Sequence, residues 1–348
     1  MKNSYSDCLS YDDVLLVPKY SDIRSRSEID ISTELGNNTK ISLPIIASPM
    51  DTVSEGEMAA AMAVQGGLAI VHRYNTISEQ VQFIKHAFKK SFPNSIFGAA
   101  IGISGDYLER AQELINAGIK VICVDVAHGH HVLMKDALES INKLSGISNV
   151  HIMAGNVATL KGVNDLADWG AHSVRCNIGG GSICSTRVQT GHGLPGLQTI
   201  IECAKTDRDV RIIADGGIKN SGDMVKALAA GADAVMVGSL LAGTSETPGM
   251  ITKDGQGRPW KSYRGMASKE AQINWRGKYS SFEGVSARVP HKGQVSDVLL
   301  DLEKGIRSGF SYSGARNLAE LQSRAEFVIQ TSAGQSESGT HIKDRQWR

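Results

Sequence analysis

The sequence has little that would tie it to a membrane, a nucleic acid or an oxidising compartment. Lys plus Arg is 37 and Asp plus Glu is 36, a formal net charge of +1, so there is no electrostatic case for nucleic acid or an anionic membrane surface. No stretch approaches the roughly 18 consecutive apolar residues of a spanning helix. The first residues, Met1-Lys2-Asn3-Ser4-Tyr5, lack the apolar core of a signal peptide. Cysteines number five, Cys8, Cys123, Cys176, Cys184 and Cys203, widely spaced and without a C-x-x-C. That argues against a disulfide framework or a zinc site and, with the missing signal, reads as a reducing cytoplasm. Aromatics are only 5%, too few for a surface built on stacking. What the chain has instead is glycine, 37 residues, which suits tight turns and close backbone approach.

Eight short apolar runs recur along the chain. They are Pro44–Ser48, Leu68–Val71, Phe97–Ile101, Val121–Asp125, Val150–Ala154, Ser173–Cys176, Arg211–Ala214 and Ala234–Val237. Near-continuous apolar strands separated by helical stretches imply a parallel sheet covered by helices. Helical patterns at 55–65, 106–117, 160–169 and 223–230 each stop at a glycine, a C-terminal signal. Eight such units predict an α/β chain with one (β/α)8 TIM barrel spanning residues 1–348. A doubly wound open sheet is the alternative. Residues 250–293 follow the last strand and are polar and weakly periodic, which predicts a mobile active-site flap rather than a structural element. The tail from Gly334 reads as mostly solvated.

Function on a barrel collects at the C-terminal strand ends. The most informative loop there is Asn177–Arg187. Its run Gly179-Gly180-Gly181 lets backbone approach a ligand closely, and it precedes Cys184, flanked by hydroxyls and Arg187. The alternative is a flexible glycine loop with an incidental cysteine. By contrast, Cys123 and Cys176 lie inside apolar strands and read as packed thiols. Asp215-Gly216-Gly217 and Gly238-Ser239 end strands seven and eight, where barrels bind phosphate through backbone N–H groups. Asp215 is placed to accept hydrogen bonds from a ribose diol. His128, His130 and His131 follow strand four but lack a partner carboxylate on a helix, so no metal is expected there.

These residues carry a resemblance. The motifs are Tyr11–Pro18 (YDDVLLVP), Ser48–Val53 (SPMDTV), Val124–Gly129 (VDVAHG), Ala154–Val157 (AGNV), Gly179–Arg187 (GGGSICSTR), Ala214–Gly217 (ADGG), Gly238–Leu241 (GSLL), Tyr263–Met266 (YRGM), Glu283-Gly284 and Tyr312–Gly314 (YSG). In this order the chain resembles the IMP dehydrogenase / GMP reductase family. The resemblance implies a purine monophosphate substrate, a nicotinamide cofactor, a homotetramer and no nucleic acid or membrane partner. It implies catalysis by Cys184 as nucleophile, with Thr186 and Glu283 as proton-transfer pair. It implies substrate contacts from Ser48, Met50, Ser182, Asp215, Gly216, Gly217, Gly238, Ser239, Tyr263, Gly265 and Met266. It implies cofactor contacts from Asp125, Ala127, His128, Asn156 and Arg175. A monovalent cation, K+ in many members, would sit on the carbonyls of Gly179, Gly181 and Cys184.

Two activities occur in the family. The dehydrogenase oxidises IMP to XMP with NAD and uses an adjacent Arg-Tyr pair on a longer flap to activate water. The reductase converts GMP to IMP and ammonia with NADPH. Here only 16 residues, Ala267 to Phe282, separate Met266 from Glu283. The nearest substitute for the pair is Arg276 with Tyr279. Thr190-Gly191 and Ile201–Ala204 also resemble the reductase, and no regulatory insert separates strands two and three. Gly98–Glu109 and the tail Ala333-Gly334, Glu337-Ser338 and His341 resemble the dehydrogenase. Gly180 stands where Pro is usual and Gly196 where Gln is usual, departures that bear on the rigidity of the Cys loop. Arg73 occupies a position that is Lys in some reductases. The expectation is a GMP reductase. An insert-free IMP dehydrogenase and a non-catalytic nucleotide-sensing barrel are the alternatives.

Overall fold

The computed structural model describes residues 7–279 and 283–339. Met1–Tyr5, His341 and the end of the tail lie outside the described residues. All eight expected strands form: β1 (Ile45–Ala47), β2 (Leu68–Val71), β3 (Gly98–Ile101), β4 (Val121–Asp125), β5 (His151–Val157), β6 (Ser173–Cys176), β7 (Arg211–Asp215) and β8 (Ala234–Val237). Each pairs in parallel with its sequence neighbour, and β8 returns to β1, which closes the barrel. An open sheet is thereby excluded. The covering helices are α1 (Gly56–Val64), α2 (Ile77–Lys90), α3 (Tyr107–Asn116), α4 (Val132–Ile141), α5 (Leu160–Asp168), a short α6 (Thr186–Thr190), α7 (Gly196–Cys203) and α8 (Ser221–Ala229). Between β2 and β3 stand only α2 and two loops, with no inserted domain.

Alternation along each strand sorts the core into two layers. Ile46, Leu68, Ile70, Val121, Cys123, Met153, Ile213 and Met236 pack inside the barrel. Their neighbours, such as Ile45, Val71, Ile122, Val174 and Val235, pack outward under the helices. The floor is closed by a hairpin pairing Thr33–Glu34 with Lys40–Ile41, which inserts Leu35 and Ile41 into the inner layer. His151 is fully buried beside it. One ring nitrogen, Nδ1, is 3.1 Å from the Gly36 carbonyl and the other, Nε2, 2.7 Å from Ser173 Oγ. Burial pushes its pKa down to about 3, so the ring is neutral, bonding the carbonyl through one nitrogen and the hydroxyl through the other.

The segment after β8, expected as a mobile active-site flap, has regular elements of its own. It carries a three-stranded antiparallel sheet, β9 (Thr252–Lys253), β10 (Pro259–Arg264) and β11 (Ser286–Pro290), and a helix, α9 (Lys269–Arg276). Ser268 caps α9 by accepting from the Ala271 N–H, and Gly277 ends it in the left-handed conformation. Arg264 clamps this unit to the end of β1: its Nε and Nη2 donate to Asp51 Oδ2 at 3.0 and 2.6 Å. The chain then returns through α10 (Val295–Tyr312), which buries Val295, Leu299, Leu302, Ile306 and Phe310.

Candidate active site

β6 delivers the chain into the Cys loop. That loop is tied by backbone to the returning flap rather than left free. Ser185 N–H donates to the Glu283 carbonyl at 2.8 Å, and Val285 N–H to the Ile183 carbonyl at 3.0 Å. This pairing brings together residues far apart in sequence. Cys184 is exposed, with its thiol 3.2 Å from Thr186 Oγ1, and that hydroxyl donates to Glu283 Oε2 at 2.7 Å. Thiol, hydroxyl and carboxylate thus form one hydrogen-bonded line. The other thiols differ: Cys123, Cys176 and Cys203 are buried, and burial pushes Cys123 up to about 12.

Below the loop lies a charged knot. Arg175 points inward from β6. Its Nε and Nη2 donate to Asp215 Oδ2 at 3.1 and 2.8 Å, and its Nη1 donates to Asp125 Oδ1. Burial disfavours the guanidinium charge, but Asp215, Cys123 and Asp125 outweigh it and hold the pKa above its ordinary value. Asn156 Nδ2 donates to the same Asp215 Oδ2 at 2.8 Å and to the Asn177 carbonyl at 3.1 Å. Asp215 Oδ1 takes none of these bonds, which suits a diol acceptor.

Glycines shape the opposite wall. Gly216 and Gly217 lie at φ +82° and +76°, where a side chain is disfavoured. A Cβ on Gly238 would meet Met50 Sδ at 2.9 Å, the Tyr263 hydroxyl at 3.0 Å and Ser48 Oγ at 3.6 Å. Tyr263 is buried, which raises its pKa, and its hydroxyl also meets those of Ser182 and Ser239. Lys292 Nζ donates to the Ser239 carbonyl at 2.9 Å, adding positive charge behind this wall.

One cavity of about 400 Å³ is lined by every expected site residue except His128. His128 is exposed and lies outside that lining. The three histidines also go to different tasks: His130 Nε2 lies 2.7 Å from Asp165 Oδ2 and His131 Nδ1 caps the Leu133 N–H. Sequence reasoning missed Tyr74 and Gln272 in the lining. Tyr74 stacks on Trp275 of α9, ring centres 5.9 Å apart and planes 13° apart. Its position directly after His72-Arg73 at the end of β2 was the available signal.

The departures at 180 and 196 have a structural reason. A Cβ at Gly180 would fall 2.1 Å from Asn177 Nδ2, and one at Gly196 would fall 3.3 Å from it. The Asn177 side chain fills the space behind the Cys loop, so the loop is packed where the sequence read as loosened.

The comparisons with known proteins agree with this geometry. The model of the IMP dehydrogenase / GMP reductase domain matches residues 8–341. The chain belongs to the IMP dehydrogenase / GMP reductase family. It is 34% identical to inosine-5'-monophosphate dehydrogenase of Nitrosopumilus maritimus, covering 97% of this chain and 98% of that protein. It is 32% identical to GMP reductase of Leishmania major, covering 96% of each. A crystal structure of a cysteine-to-alanine variant of GMP reductase from Trypanosoma brucei, in complex with guanosine 5'-monophosphate, superposes with a TM-score of 0.90. It shares 30% identity over 97% of this chain and 98% of that one. Family membership makes the chain an oxidoreductase of purine nucleotide metabolism that binds a purine monophosphate and a nicotinamide cofactor. Among the described residues no helix is long and apolar enough to cross a membrane.

Proposed function

We propose that the protein is a GMP reductase, converting GMP and NADPH to IMP, ammonia and NADP+. The observation that carries this reading is the divergence of Arg276 and Tyr279. The Arg276 guanidinium lies 6.0 Å from the Tyr74 ring centre, whereas the Tyr279 ring faces Lys269 Nζ at 4.9 Å. The two side chains face separate partners, which supports a flap without an Arg-Tyr unit for activating water.

The Cys184 thiolate attacks C2 of GMP, a covalent step that divides a hard substitution into easier ones. The 2-amino group leaves as ammonia once protonated. Glu283 and Thr186 are placed to pass that proton, since Thr186 bonds both the thiol and the carboxylate. The product of this step is a thioether-linked purine at C2. Asp215, the glycines at 216, 217 and 238, and the hydroxyls of Ser182, Ser239 and Tyr263 orient the nucleotide. Bound against Asp125, Ala127, Asn156 and Arg175, NADPH would supply the hydride for C2, after which Cys184 departs as thiolate. The buried Arg175 between two carboxylates fits a cofactor face that needs a fixed charge pattern. Gly181 fits a cation ligand with its second lone pair, its first being taken by the Cys184 N–H at 3.0 Å. K+ held there by Gly179, Gly181 and Cys184, a homotetramer and a cytoplasmic location belong to the same proposal.

The dehydrogenase reading is favoured by the names of several relatives at 33–34% identity. One absorbance assay separates the two. GMP with NADPH should consume the reduced nicotinamide, and IMP with NAD should produce none. Steady formation of NADH from IMP and NAD would favour the dehydrogenase.

A further inference from the structure

We infer that Asn177 is a positioning residue for the Cys184 loop, and that Gly180 is glycine because of it. The inference rests on Cys184 being the nucleophile. Asn177 is buried, 3% exposed, and is the first residue after β6. Its φ is +148°, a conformation that asparagine adopts at a cost and glycine adopts freely. Its Nδ2 donates to the Gly216 carbonyl at 3.2 Å, and its Oδ1 is buried and accepts no hydrogen bond from a described residue. A strained backbone and an unpaired buried oxygen both weigh against an asparagine here on stability grounds alone.

The surroundings explain what is gained. Gly180 does not lie in the left-handed region, so its backbone places no demand for glycine. Its three nearest atoms for an added Cβ all belong to Asn177: Nδ2 at 2.1 Å, Cγ and Oδ1 at 2.8 Å. Gly196 at the start of α7 also lies outside the left-handed region, and its Cβ would meet Tyr11 at 3.0 Å and Asn177 Nδ2 at 3.3 Å. The amide is therefore a wedge between three segments: the glycine run of the Cys loop, the turn 215–217 and α7. It holds the loop at a set height above the nucleotide wall, with Cys184 four residues beyond Gly180. The backbone bonds from the flap reach Ile183 and Ser185 but not Gly180, which leaves this part of the glycine run to be held from behind by the amide.

The test is a four-way cycle of parent, Asn177→Gly, Gly180→Ala and the double variant. Three readouts are taken: kcat and KM, the alkylation rate of Cys184 by iodoacetamide, and Tm. Asn177→Gly should lower kcat about tenfold or more, since small misplacements of a reacting group are costly. KM for the nucleotide should stay within about threefold and Tm should not fall in step. Gly180→Ala should be costly in the parent and nearly silent when added to Asn177→Gly. An equal cost of Gly180→Ala in both backgrounds would overturn the inference. So would an Asn177→Gly variant whose kcat and alkylation rate both stay within about twofold of the parent. If Gly180→Ala alone does not fold, a folded double variant supports the wedge and an unfolded one contradicts it. If the parent turns over neither substrate pair, the proposed function fails, while the alkylation series still decides the role of Asn177.

Discussion

Thr186 Oγ1 donates to Glu283 Oε2 at 2.7 Å while standing 3.2 Å from the Cys184 thiol. The hydroxyl has one proton, and the carboxylate takes it, so its oxygen is left to accept from the thiol. On the proposed reductase reading, this polarity would let the thiol proton pass toward Glu283 as Cys184 becomes the attacking thiolate, and return to the leaving amine. Glu283→Gln should lower kcat by about 10²–10⁴, the usual worth of a positioned acid or base, or roughly 3–5 kcal/mol of barrier. Thr186→Val should lower it similarly, with nucleotide affinity retained in both. Turnover within a few fold of the parent in either variant would remove that residue from the relay.

On the proposed reading, the residues that orient the nucleotide, Asp215 to Gly217, Gly238 and Tyr263, stand apart from the nucleophile. Cys184→Ala should therefore bind GMP with an affinity close to the parent's by calorimetry. Its turnover should fall below about one-thousandth. Substantial residual turnover would remove Cys184 as the nucleophile.

His151 makes the barrel floor sensitive to acid. Its folded pKa is lowered to about 3 from an ordinary value of 6.5. The folded chain holds fewer protons on this group than the unfolded chain between those values, so its contribution is fully present above about pH 6.5 and is lost as pH falls toward 3. Denaturant melts should show stability falling through that window. His151→Gln, which cannot take a proton, should flatten the fall, and an unchanged slope in the variant would exclude His151 as its cause.

The barrel was legible because its inner layer and outer layer are both apolar, so each strand reads as a continuous run, and glycines mark the helix ends. Asp215 was legible because it ends a strand, and Cys184 because it sits in a glycine-rich loop that follows one. The flap sheet was not, because β9 to β11 are short, mostly exposed and rich in polar residues. Tyr74 was missed because its partner, Trp275, lies far along the sequence on α9 and no spacing links them. The role of Asn177 was missed for another reason. Spacing reports that glycines are present, but only volume reports that one amide occupies the room their side chains would need.

On this reading the flap supplies a proton route for deamination and no base for water. Product analysis decides it, run on the parent, Arg276→Ala and Glu283→Gln, each with GMP plus NADPH and with IMP plus NAD. The expected products are IMP and ammonia in equal amounts from GMP, with little or no XMP from IMP. Arg276→Ala should keep reductase turnover within a few fold, while Glu283→Gln should lose most of it. Steady accumulation of XMP from IMP and NAD, stopped by Arg276→Ala, would contradict the reductase and make Arg276 the base that activates water.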